Sequence, residues 1–504
     1  MKFRFPILFI LLFSTSVALF AQTYVGEVLY RDAYEYVKLN HDDNGYSFNL
    51  PYVDGDVVYK TETPDGGSSA FSVLRNGQRW TFDLEQAENN LKGKVFNNHG
   101  IQEVILHKQI DPIEPSAQIH YVGVYRDSYG RRVIIYKDNG YLHLMSPFSE
   151  QTMSLKPIGK DRFWSISGAY WNFTDSKNNS YQTLTRVDRF GKTYMLQKIA
   201  GYEVEELWIP VNGDTLYSRL YLPKTNVKVP GCLLLPGGGS LGIDNYEYEA
   251  RFFAGYGMAC LVFDKSGVGK SKGSGNFQVQ SFEEKNEQYK QLFKYLQNHP
   301  RIISSKVGVH GPSEGGRLAL MMAMDLKEVA FVNATAAPIM SFREGQLYAM
   351  DHYHRNLGIK EQDILSVRTV WDAYYNGIET GSIDQNTIDK ANALRGLHQR
   401  MFLPPNTTRL PLSPNKEDLE NDRMMSEIAK ISCPVFLQYG ANDTRVDPYK
   451  SATNFYNQKN DQIKSRTLFY KRGNHSFMTP EFEICTGYLD DKIAWLNEIS
   501  IIKL

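Results

Sequence analysis

The pattern G-x-S-x-G occurs three times in the 504-residue chain: Gly238-Gly239-Ser240-Leu241-Gly242, Gly269-Lys270-Ser271-Lys272-Gly273 and Gly311-Pro312-Ser313-Glu314-Gly315. A serine hydroxyl becomes a strong nucleophile when a neighbouring base takes its proton and a third group holds that base in the right tautomer. Downstream of all three serines, a histidine stands in a short loop, Lys471-Arg472-Gly473-Asn474-His475-Ser476-Phe477, and an acidic loop precedes it, Gly440-Ala441-Asn442-Asp443-Thr444. Ser313, Asp443 and His475 are therefore the expected nucleophile, acid and base, with Asp447 in the same loop as second choice for the acid. Acyl transfer also needs two N–H groups aimed at the developing oxyanion, and losing one such donor typically costs about 10²–10³ in turnover. Glu314, directly after the serine, is expected to supply one, and Gly238, at the strand tip Pro236-Gly237-Gly238-Gly239, the other.

The surrounding elements decide between the serines. Only Ser313 lies between an apolar strand (307–310) and a helical pattern (316–324). A sharp strand-to-helix turn lifts the hydroxyl above a sheet, and small residues on either side relieve its crowding. The helix N-terminus favours negative charge there. Ser240 opens into a loop and Ser271 sits in a polar glycine-rich loop, so both read as loop hydroxyls. His310 abuts the nucleophile but belongs to the strand, where it reads as packing. His352 and His354, two apart on a helical pattern, face different ways, which argues against a metal site.

From about residue 203 the chain opens with a hairpin about Asn212-Gly213. Apolar strands at 232–235, 259–263, 307–310, 329–332, 435–439 and 465–470 then alternate with helical stretches at 246–255, 282–298, 317–324 and near 481–498. That alternation predicts an α/β domain, a mostly parallel sheet covered on both faces. Residues 341–430 break it, read as helical (362–375 and 384–400), and form an insertion between two sheet strands.

Residues 23 to about 200 are different: short alternating runs rich in Tyr, Val, Thr and Asn, bounded by Asn-Gly turns, predict antiparallel hairpins. Tyr24-Val25-Gly26 recurs as Tyr121-Val122-Gly123, and Asp43-Asn44-Gly45-Tyr46 as Asp138-Asn139-Gly140-Tyr141. Two related β-rich modules, 23–110 and 118–200, are expected ahead of a catalytic domain at 203–504. Before them, Lys2 and Arg4, an apolar run and small residues up to Ala21 read as a cleavable signal peptide, cut after Ala21 or Ala18, with no membrane span in the mature protein. The chain is expected to be exported, to the periplasm or beyond.

Composition narrows the classes further. Lys+Arg and Asp+Glu are both 56, so there is no basic excess for nucleic acid. With 42% hydrophobic and 13% aromatic residues the chain can fill real cores, which excludes wholesale disorder. Cys232, Cys260, Cys433 and Cys485 are too few for a disulfide scaffold and form no C-x-x-C pair.

Residues 203–504 resemble the α/β-hydrolase superfamily. The likeness rests on Leu234-Leu235-Pro236-Gly237-Gly238, on Phe263-Asp264-Lys265-Ser266-Gly267-Val268-Gly269-Lys270-Ser271, which is similar to an Asp-x-Arg-Gly-x-Gly-x-Ser turn, and on Ser313-Glu314-Gly315-Gly316. The second and third are similar to the branch of bacterial esterases and serine aminopeptidase-like hydrolases, from which the chain departs at Pro236 and Ser266. The order Ser313, Asp443, His475 matches the superfamily's nucleophile–acid–base order. The resemblance implies a helical cap at about 341–430 forming the acyl or leaving-group pocket. The β-modules resemble lipocalin-like domains that precede hydrolase domains in some exported bacterial enzymes.

Carboxylic ester hydrolysis, without metal or cofactor, asks least of such a site and is the expected activity. Amide hydrolysis of the aminopeptidase type is the alternative, and it would need a group for a peptide terminus, for which Glu344 is a candidate. Thioester cleavage is disfavoured for an exported chain because coenzyme-A esters are cytosolic. A different class is a binding protein, with the β-modules engaging glycan or envelope beside an inactive hydrolase domain. A dinucleotide site is also written into Gly237-x-Gly239-x-x-Gly242 with Asp264 ending the next strand, but Ile243-Asp244-Asn245-Tyr246 delays the helix that the third glycine should open.

Overall fold

The computed structural model describes residues 22–503 except 31–32, 43–44, 52–56, 61–69, 76, 99, 139, 147–150, 398–399, 405–417, 420–421 and 480–483. The expected signal peptide, 1–21, and Asp43, Asn44 and Asn139 of the repeat lie outside these residues. The chain divides into two compact units: one up to Ile113 with Leu155–Asn172 and Val187–Lys192, the other comprising Glu114–Ser154, Phe173–Arg186 and Thr193–Leu504.

The first unit is all β. Its eight-stranded sheet is barrel-like in order: consecutive strands neighbour one another, and Gln22–Tyr30 pairs antiparallel with both Ala33–Asp42 and the last strand, Gly100–Lys108. Alternate residues face inward, so Val37, Leu39, Phe71, Val73, Trp80 and Phe82 fill one core. In the second unit, Gly123–Arg126 likewise pairs on one side with Arg132–Asp138 and on the other with Thr193–Ile199.

The rest of the second unit is α/β. Its strands are β1 (Tyr202–Val211), β2 (Asp214–Pro223), β3 (Val229–Leu234), β4 (Ala259–Phe263), β5 (Ile302–Pro312), β6 (Val332–Thr335), β7 (Val435–Gly440) and β8 (Ser465–Tyr470), in the order β1-β2-β4-β3-β5-β6-β7-β8. The ladders are antiparallel where β2 meets β1 and β4, and parallel elsewhere. The helices are α1 (Glu247–Gly255), α2 (Phe282–Gln297), α3 (Glu314–Asp325), α4 (Phe342–Asn356), α5 (Glu361–Thr380), α6 (Gln385–Leu397), α7 (Pro448–Gln458) and α8 (Tyr488–Glu498).

Both sheet faces are covered, because successive residues of a strand point to opposite sides. Leu233 and Leu261 join a core with Leu292 of α2 and Leu318 of α3. Cys232, Leu234, Cys260 and Val262 join another, with Phe253 of α1 and Trp495 of α8. Ser281 starts α2 sharply, exchanging hydrogen bonds with Glu284 in a capping box. Helices α4, α5 and α6 all fall between β6 and β7, around their own core of Val367, Trp371 and Tyr374.

Several boundaries differ from expectation: the strand expected at 307–310 runs Ile302–Pro312 and the helix expected at 362–375 runs Glu361–Thr380. The strand expected at 329–332 runs Val332–Thr335, because the polar Asn333 is bonded inside the sheet, its Nδ2 donating to Phe436 O and Gln438 Oε1. The last helix begins at Tyr488, since Cys485 N–H turns back to Phe477 O and Ile484 bridges Met478. Among the described residues, no helix is long and apolar enough to cross a membrane.

Candidate active site

The β5–α3 junction is built for crowding. Ser313 has φ 54° and ψ −120°, a left-handed backbone rare for a residue with a side chain. A Cβ on Gly311 would strike the backbone of Gly315, and one on Gly315 would strike the Leu235 carbonyl, so this turn admits nothing larger at either position. Ser313 N–H is tied to Thr335 O at 2.7 Å, which fixes the turn to β6.

Asp443 follows β7 and His475 follows β8. His475 Nδ1 donates to Asp443 Oδ2 at 2.8 Å. The other oxygen, Oδ1, accepts from the backbone of Arg445 at 2.8 Å and Val446 at 3.0 Å, so the buried carboxylate is held on both sides. Ser313 and His475 line the same cavity of about 1220 Å³ with Gly238 and Glu314. Among the described residues neither Ser313 Oγ nor His475 Nε2 has a hydrogen-bond partner.

Four of the five expected residues thus open on one cavity, with Asp443 behind His475. Asp447 stands elsewhere in function: its Oδ1 accepts from Tyr449 and Lys450 N–H and caps α7. Ser271 Oγ donates to Asp264 O at 2.7 Å and accepts from Tyr217 N–H at 3.0 Å, whereas Ser240 lies exposed in its loop. His354 is buried and its Nε2 accepts from Phe402 N–H, while the His352 ring packs at a tilt against Tyr348. Glu344 is paired with Lys450.

His310 does more than pack. Its Nδ1 donates to Asn333 O at 2.8 Å and its Nε2 meets Glu249 Oε2 at 2.6 Å. Glu249 also receives Tyr488 OH and Lys492 Nζ. Burial opposes ionisation of this carboxyl, but His310 and Lys492 outweigh it and hold the group well below the usual carboxylate range. The cluster joins α1, β5 and α8 beneath the nucleophile turn.

Other contributors were not legible in the sequence. Glu314 carries the Lys285 ammonium at 2.9 Å. Arg317 of α3 pairs with Asp422, whose Oδ2 also accepts Phe342 N–H at the start of α4. Tyr348 of α4 donates to Asp443 O at 2.9 Å, tying the insertion to the acid's loop. The Tyr246 hydroxyl accepts Gly237 N–H at 2.9 Å, and burial pushes its phenol up to about 12. Gly238 is therefore the loop glycine left exposed to the cavity beside an occupied neighbour. The cavity is also lined by the aromatic and apolar side chains of Phe282, Phe342, Met350, Tyr353 and Phe402.

A strained serine turn after the fifth strand, an acidic loop after the seventh and a histidine loop after the eighth, on this strand order, define an α/β-hydrolase. Residues 212–477 match the model of Peptidase_S15, X-Pro dipeptidyl-peptidase (S15 family); this is just over half of the chain, and the chain belongs to that family. It is 31% identical over 160 residues to acyl-coenzyme A thioesterase 3 of Mus musculus, 32% of each protein. It is 30% identical over 138 residues to acyl-coenzyme A thioesterase 1 of Rattus norvegicus, 26% of this chain and 30% of that one. The aligned segments thus span about a third of the length of the curated relatives it matches. Among solved structures, the α/β hydrolase GrgF from Penicillium sp. sh18 is 18% identical with a TM-score of 0.39, over 59% of this chain and 98% of that one. Ferulic-acid-bound Est1E from Butyrivibrio proteoclasticus is 17% identical with a TM-score of 0.38, over 58% of this chain and 98% of that one.

Proposed function

We propose that the protein is a serine hydrolase cleaving carboxylic esters through an acyl-enzyme on Ser313. The observation that carries this reading is the His475–Asp443 bond opening on the cavity that also receives the strained Ser313. His475 Nε2 takes the hydroxyl proton as Ser313 Oγ attacks the ester carbonyl, and Asp443 stabilises the imidazolium. The N–H groups of Gly238 and Glu314 hold the oxyanion. Collapse of the tetrahedral intermediate breaks the ester C–O bond, and His475 returns the proton to the departing alcohol. Water, activated by the same imidazole, then releases the acid and frees Ser313. The Ser313–His475 hydrogen bond closes when substrate fills the cavity, since catalytic hydrogen bonds often tighten only in the complex.

Peptide cleavage of the kind the family's description names would need a free carboxylate for an α-ammonium. Glu314 and Glu344 are both occupied by lysines, which favours the ester. The β-modules are proposed to hold the enzyme to a glycan or envelope ligand after export. Labelling the mature protein with a fluorophosphonate and mapping the modified peptide tests the reading. One equivalent on Ser313, with turnover on an ester panel, supports it. Labelling elsewhere, or no turnover on any ester, overturns it.

A further inference from the structure

Lys265 has no place in the chemistry above, yet it is fully buried beside it. Its ammonium donates to Gly237 O at 2.8 Å and to Gly239 O, and its remaining side lies over the Phe277 ring, 4.2 Å from the centroid. No carboxylate lies within ion-pair distance of it among the described residues, so a buried charge is held by two carbonyls and a ring face. Burying a charge without a counter-ion is costly, and here the two carbonyls and the ring face are what offset it.

What it holds is the loop that carries Gly238. In a trans peptide the carbonyl of one residue and the N–H of the next point in opposite directions. With Gly237 O drawn toward Lys265, Gly238 N–H must point the other way, on the side exposed to the cavity. Gly239 O, drawn to the same ammonium, pins the loop a second time. The neighbouring N–H cannot compete for an oxyanion, because Tyr246 OH accepts it.

We propose that Lys265 is the positioning residue of the oxyanion loop: its ammonium sets the direction of the Gly238 N–H and places a fixed positive charge behind that peptide. This rests on reading Gly238 as an oxyanion donor in a Ser313-dependent hydrolase. The charged groups facing Lys265 are Glu314 at the start of α3 and Lys285 on α2. Burial is the largest influence and lowers the ammonium to about 8; Glu314 opposes this and Lys285 adds to it. The ammonium is thus complete below that pH and lost above it.

The test uses the full mature chain and an activated ester, with spontaneous hydrolysis subtracted. Lys265→Met is expected to lower kcat by about 10²–10³, the usual loss for one oxyanion donor, with KM changed less than about twofold because ground-state binding is untouched. Wild-type kcat/KM is expected to fall above pH 8, and Lys265→Arg, which keeps its charge, to remove that alkaline limb. Wild type with Ser313-dependent turnover and an unchanged Lys265→Met kcat overturns this inference alone. If Lys265→Met does not fold, Lys265→Arg decides: loss of the alkaline limb seen in wild type supports the inference, and a pH profile that the substitution leaves unchanged overturns it. Wild type with no Ser313-dependent turnover overturns the ester reading and this inference with it.

Discussion

Residues 269–273 and 311–315 carry the same five-residue pattern and do opposite things with it. In the first, the Ser271 hydroxyl is saturated, donating to one backbone carbonyl and accepting from a backbone N–H, and so stitches a loop to β2. In the second, the backbone is forced into a left-handed turn and the Ser313 hydroxyl is left without a partner at a cavity. The difference teaches that the pattern alone does not set a serine's surroundings: a strand entering and a helix leaving the turn keep the Ser313 hydroxyl free of local hydrogen bonds, open to a base, whereas a loop lets the Ser271 hydroxyl bond to the backbone.

The sharpest way to break the contrast is to remove each hydroxyl in turn. Ser313→Ala is expected to lose about 10⁶ in turnover, by analogy with removal of a serine nucleophile elsewhere. Its melting temperature should be nearly unchanged. Ser271→Ala should keep kcat and lose stability instead, by about 1–3 kcal/mol for buried backbone groups left unpaired, read from denaturant midpoints. If turnover followed Ser271, the assignment of the nucleophile would be wrong.

The same contrast holds one step out, between two aspartates four residues apart. Asp443→Asn should cost about 10⁴ in kcat, because the amide no longer selects the catalytic tautomer of His475. Asp447→Ala should leave kcat within error and cost about 1 kcal/mol through loss of a helix cap. Equal losses of activity in the two variants would show that the loop acts as one unit.

The smallest change tests the crowding itself. Gly315→Ala adds one methyl against the Leu235 carbonyl, and the overpacking should cost about 1–3 kcal/mol. It should also lower kcat, since the Ser313 turn must shift to accommodate it. A fully active, equally stable Gly315→Ala would show that the turn is not constrained from behind.

Much of this was legible in the sequence because local pattern and tertiary role agreed. Ser313 is separable from Ser240 and Ser271 by its flanking strand and helix, and Asp443 and His475, hydrogen-bonded to each other, stand in the turns that follow β7 and β8. Lys265 was not legible: nothing in a turn of Asp, Ser, Gly and Lys shows that the fold buries it against carbonyls of the loop at 237–239. His310 reads as packing in the sequence for a related reason, since its partner Glu249 and Glu249's other partner Lys492 come from helices far apart in sequence. The strand at Val332–Thr335 was shifted by three residues because its polar side chains find partners that periodicity cannot see. Lys285 and Arg317, whose partners Glu314 and Asp422 lie on other elements, belong to the same category.

The first-to-last pairing in the N-terminal unit has a consequence for how that unit is made. Tyr24 opposes Lys108, so the opening strand waits with one edge bare until the whole of the unit's sheet has been synthesised. A ladder between such distant segments gives a high contact order, and domains dominated by it fold on the order of milliseconds to seconds. Because Gln22–Tyr30 is also the partner of Ala33–Asp42, deleting it would bare two strand edges at once. Truncation there should therefore appear first as aggregation during production, before any effect on catalysis could be measured.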